Sequence, residues 1–113
     1  MIKIPEKVPK RGFYYHYKHD PNGSVDNYAY EFLGIGFHTE ENDVCFANYR
    51  PLYESAGAYR ATVTLGVPCT NERPLEMWMG DVEKEGETFP RFKKIADPKI
   101  ISELEKIRDR MYK

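Results

Sequence analysis

Three histidines, Arg73 and Arg91 set beside prolines, and a dense population of tyrosines are the side chains of this sequence singled out for chemistry. His38 and Glu40 stand two residues apart, so on an extended chain they point the same way. A carboxylate beside an imidazole holds its tautomer and raises its pKa, as a general base requires. The competing reading is a polar hairpin end where both face water, the commoner meaning of a lone His-x-Glu pair. His16, Lys18 and His19 close an aromatic segment. A metal would need two or three further converging ligands, and the chain has only three histidines, so no metal is expected there. Arg73 precedes Pro74 and Arg91 follows Pro90. A guanidinium held this way either forks onto a carboxylate or phosphate, or joins an internal ion pair with Glu40, Glu76 or Glu83. Most tyrosines and phenylalanines should serve as core and rim. Tyr53, in a connection after Pro51, and Tyr17 are the ones expected to stack on a ligand.

These residues need elements to carry them. Pro5 and Pro9 make residues 1–11 an extended arm. Residues 12–18 fit a first strand, with Phe13, Tyr15 and Tyr17 on one face and Tyr14, His16 and Lys18 on the other. Residues 19–27 carry turn chemistry throughout. Tyr28 to His38 is the clearest strand, and Gly34 and Gly36 on one face imply a bulge or sharp bend. Val44 to Arg50 returns as its hairpin partner. Tyr59 to Leu65 alternates like a half-buried strand. Leu75, Trp78, Met79 and Val82 recur at helical spacing after Pro74, which predicts a short helical turn. Glu85-Gly86 turns the chain toward residues 88–92. Asp97 and Pro98 open an amphipathic helix whose stripe is Ile100, Leu104, Ile107 and Met111.

Composition narrows the function. The chain has 113 residues, 17 basic and 18 acidic, with net charge −1. That is one domain's length, and its balance excludes a nucleic-acid binder working by bulk charge. Nucleic acid stays possible only through specific contacts. Aromatic residues are high at 14%. No apolar run reaches the ~18 residues that span a bilayer, and the N-terminus has no secretory h-region, so a cytoplasmic protein is expected. Cys45 and Cys69 match no metal or redox spacing and read as reduced thiols. Gly34-Ile35-Gly36 lacks the third glycine and helix of a phosphate loop, and no cofactor is expected.

Five blocks occur in order: Gly12 to Lys18, Leu33 to Glu40, Tyr49 to Tyr53, Arg73 to Trp78 and Phe89 to Phe92. Together they resemble the bacterial domain-of-unknown-function family 1653, over residues 12–92. That pattern has a tryptophan before its Arg-Pro, where Thr70-Asn71-Glu72 stands here, and shorter loops at 19–27 and 57–72. The chain therefore reads as a divergent member, of bacterial or phage origin. The resemblance carries no established activity. It implies a small β-rich domain, SH3-like, with a shared surface around His16, His38, Tyr53, Arg73 and Arg91.

The expected fold is mainly β: a small bent antiparallel sheet or partly open SH3-like barrel of five or six strands. Residues 1–11 form the arm, 12–96 the β-rich unit, and 97–113 a helix packed upon it. The expected function is a recognition module binding a small anionic ligand, a peptide or a nucleic-acid element. Its cleft would be lined by His16, Tyr17, His38, Glu40, Tyr53, Arg73 and Arg91. The alternatives are a small hydrolase or nucleotide-processing enzyme with His38 as base, or a protein–protein adaptor. No membrane partner is expected.

Overall fold

The computed structural model describes residues 4–113, so the first three residues of the expected arm lie outside it. In chain order the elements are β1 (Gly12–His16), β2 (Ala29–Phe37), β3 (Cys45–Pro51), α1 (Gly57–Leu65), β4 (Asn71–Pro74), α2 (Leu75–Met79), β5 (Asp81–Lys84), β6 (Glu87–Pro90), β7 (Phe92–Lys94) and α3 (Pro98–Met111). Five strands form one antiparallel sheet in the order β4-β3-β2-β1-β7, while β5 and β6 form a separate hairpin. Glu85 and Gly86 both adopt positive φ, the backbone of the tight hairpin turn expected there.

The sheet is open. Strands β4 and β7 are its edges, so the barrel alternative is corrected in favour of the bent sheet. The bend has a local cause. Register between β2 and β3 shifts between Phe32 and Gly34, leaving Leu33 as a bulge. The extra residue puts Phe32 and Ile35 into the same core, which strict alternation would separate.

Tyr59 to Leu65 is helix, not strand. The place beside β3 is taken by β4, and no residue of α1 is buried, so its alternating polarity faces no core. Local bonds then decide. Thr62 Oγ1 donates to the Ala58 carbonyl at 2.9 Å, and Gly66, at φ 74°, closes the helix with a bond to Thr62.

Alternation divides the aromatic residues between two cores. On one face Tyr14, Phe32, Ala47, Tyr49 and Phe92 pack with Leu75 and Trp78 of α2. The Trp78 and Phe92 rings stack 3.7 Å apart. On the other face Phe13, Ala29, Leu52 and Ile95 receive Leu104, Ile100, Ile101 and Ile107 of α3. That helix starts as its sequence implies, with the Asp97 carboxylate accepting the Lys99 N–H at 2.9 Å and Pro98 in its first turn. Glu31, buried on this face, holds Arg50 at 2.7 Å and Arg108 of α3 at 3.2 Å. Among the described residues no helix is long and apolar enough to cross a membrane.

Candidate functional site

The site lies at the end of the sheet where β1 and β3 finish and β2 and β7 begin. His16 is the last residue of β1 and pairs across the ladder with Phe92. Its ring lies 5.1 Å from Phe92, 4.4 Å from Tyr17 and 5.7 Å from Tyr28. The Lys18 N–H donates to His16 Nδ1 at 3.2 Å, which leaves the proton of the neutral ring on Nε2.

Two arginines stand on the elements that flank this histidine. Arg73 sits on β4 opposite Ala47; its Nε donates to Tyr49 Oη at 3.3 Å, and its guanidinium lies over Phe92. Arg91 occupies the single residue between β6 and β7, where the chain leaves the hairpin for the main sheet. Its N–H donates to the Gly80 carbonyl at 3.1 Å, and its own carbonyl accepts the Tyr17 N–H at 2.9 Å. Arg91 Nε is buried without a hydrogen-bond partner.

Among the described residues the ion pairs are Arg50–Glu31, Arg108–Glu31 and Arg108–Asp109. Neither Arg73 nor Arg91 belongs to one. Burial, together with the positive charges of Arg73, Arg91 and Lys18, pushes the His16 pKa down to about 4. The imidazole is therefore neutral at pH 7, and it stands among cationic donors that no carboxylate ion-pairs among the described residues.

Tyr53 joins from the connection after β3. Its hydroxyl is hydrogen-bonded to that of Tyr30, and its ring stands 6.3 Å from Tyr28. Burial raises the pKa of both Tyr30 and Tyr53, so both stay protonated. Tyr30 in turn packs edge-on against Phe92 and Tyr49. A cleft of about 480 Å³ opens beside this aromatic group, between the 24–28 segment and residues 53–55, with Tyr28 and Tyr53 in its wall. A second depression of about 420 Å³, between Pro5, Asp43–Cys45 and Pro74–Glu76, contains none of the seven expected site residues.

His16, Tyr53 and Arg73 are thus joined through Tyr28, Tyr30 and Phe92, and Tyr17 and Arg91 through their backbone bond, while of the seven only Tyr53 lines the cleft. His38 and Glu40 are not joined to them. Both are exposed at the far end of the β2–β3 hairpin. His38 Nδ1 accepts the backbone N–H groups of Glu40 and Glu41 at 3.1 and 3.0 Å, so the imidazole caps the turn. No ion pair joins His38 to Glu40 among the described residues. His19 stacks on Tyr15 at 3.5 Å, and its Nδ1 meets the Asn27 carbonyl at 2.7 Å, a local structural duty. Cys45 and Cys69 are both free thiols.

Sequence reasoning missed Tyr28, Tyr30 and Phe92. The available signal for Tyr28 was its place directly after the turn residues Asp26 and Asn27. It is 40% exposed and adopts φ 53°, rare for a bulky side chain.

A family model described as a protein of unknown function, DUF1653, matches residues 12–94. A crystal structure of a member from Bordetella bronchiseptica is similar, with 26% identity and a TM-score of 0.52. The match covers 79% of this chain and 92% of that one. No curated protein matches.

Proposed function

The chain belongs to that family of unknown function, and from this premise we propose that it is a recognition module for a small anionic ligand. Arg73 and Arg91 supply the charge, His16 a neutral N–H, and Tyr17, Tyr28 and Tyr53 the aromatic walls. The observation that carries this reading is Arg73 over the Phe92 ring that flanks His16, and Arg91 next to Phe92 in the chain with its Nε buried and unpartnered, neither ion-paired to a carboxylate among the described residues. A partly buried guanidinium left without an acceptor is costly, and an incoming anion removes that cost. The reading needs no catalytic base, and His38 Nδ1 is already engaged by its own turn.

The test is an NMR titration of the full chain with sodium sulfate and with inorganic phosphate at constant ionic strength. Saturable shifts at His16 and at the Arg73 and Arg91 side chains are expected. An Arg73→Gln, Arg91→Gln double variant should lose them while keeping its dispersed spectrum. Shifts spread evenly over the surface, and unchanged in the double variant, would end the reading.

A further inference from the structure

We propose that the bound anion is a phosphate monoester carried on a sugar, and that the cleft beside Tyr28 holds the sugar. The proposal rests on the anion reading and adds the ligand's class. Two guanidiniums without carboxylate partners match a dianion better than a single carboxylate, which would leave one positive charge uncompensated.

The neighbouring cleft has the opposite character. It offers the rings of Tyr28 and Tyr53, the carboxylates of Asp26 and Glu54, and the hydroxyls of Ser24 and Ser55. Neither Asp26 nor Glu54 is in an ion pair among the described residues. Aromatic faces accept the C–H face of a sugar, and free carboxylates accept its hydroxyl protons. The same carboxylates repel a second anion, so they orient the phosphate toward the arginines. The volume of about 480 Å³ is within the range of small-molecule sites.

Tyr28 belongs to both halves. It lines the cleft, and its ring lies within 26° of parallel to His16. A tyrosine at φ 53° is a strained backbone of the sort that gathers at ligand clamps. Its position between the acceptor-rich cleft and His16 makes it the platform for a ligand that reaches from one to the other.

The experiment is calorimetric titration of the full chain with inorganic phosphate, ribose 5-phosphate, adenosine 5′-monophosphate and ribose. Ribose 5-phosphate or the nucleotide should bind about tenfold or more tightly than inorganic phosphate. The stronger of the two identifies the source, and ribose alone should show no binding. Tyr28→Asn, which keeps a side chain tolerant of positive φ, should erase the advantage of the sugar phosphates over inorganic phosphate. Glu54→Gln should weaken the sugar phosphates selectively, and it decides the matter if Tyr28→Asn does not fold. If both sugar phosphates bind no tighter than phosphate, the sugar proposal fails and the anion site stands. If none of the four binds, both fail.

Discussion

Arg73 and Phe92 meet with the guanidinium carbon 5.5 Å above the ring centroid, although they belong to β4 and β7, the two opposite edges of the sheet. Edge strands of a flat five-stranded sheet would stand about four strand spacings apart, roughly 19 Å. The contact therefore measures how far the sheet curls. It also positions the arginine: the Phe92 ring supports its face and Tyr49 Oη takes its Nε, and among the described residues no side-chain hydrogen bond takes its terminal nitrogens.

Arg73→Lys tests that fork. Lysine keeps the charge but cannot reproduce two parallel N–H donors. Anion affinity should fall by about 1–3 kcal/mol, the scale of a lost charge-assisted hydrogen bond. The melting temperature should stay within a few degrees of the parent. A variant with full affinity would show that only charge matters.

His16 should couple anion binding to pH. Its pKa of about 4 in the fold lies below the ordinary ~6.5 of an unfolded chain. Between these values the unfolded state binds more protons, so stability rises with pH. The contribution is present in full above about 6.5 and is lost as pH falls toward 4. Sulfate, a fixed dianion, would offset the two guanidiniums and let His16 protonate. Sulfate binding should then tighten roughly tenfold from pH 7 to pH 5, and His16→Gln should flatten that slope. An NMR titration of the His16 ring that returned an ordinary pKa without sulfate would refute the coupling.

Gly80 holds Arg91 from behind. A Cβ there would stand 2.9 Å from the Glu76 carbonyl oxygen, while the Gly80 carbonyl receives the Arg91 N–H. Gly80→Ala should cost about 1–3 kcal/mol by overpacking. It should also weaken anion binding, because the shift is passed directly to Arg91. Denaturant unfolding and a sulfate titration read the two effects separately.

The helix side of the sheet should govern stability and leave the ligand untouched. Leu104 is 0% exposed in the core beneath α3, so Leu104→Ala should cost about 2–5 kcal/mol. Glu31→Gln removes the charge that joins Arg50 and Arg108, an expected loss of about 1.5–3 kcal/mol. Sulfate affinity, measured well below the melting temperature, should match the parent in both.

Elements with a local cause are legible in the residues alone. Asp97-Pro98 begins α3, Glu85-Gly86 turns the hairpin, and the alternation from Gly12 to His16 sends Phe13 and Tyr14 into different cores. The sequence also marked Arg73 and Arg91 by their prolines and Tyr53 by its loop. Tertiary structure decided the rest. The Tyr59–Leu65 pattern is equally compatible with a strand until β4 occupies the edge of β3, and the segment then closes its backbone bonds within itself as a helix. Likewise, whether a histidine serves a turn or a site depends on which groups reach its ring. His38 Nδ1 meets the N–H groups of its own hairpin, so the hydrogen bonds of its ring arise within three residues. His16 meets Phe92, and Phe92 meets Arg73, because the sheet places β7 beside β1 and then curls until β4 approaches from the other edge. That curl sums small twists and one bulge over five strands, and no window of a few residues contains it.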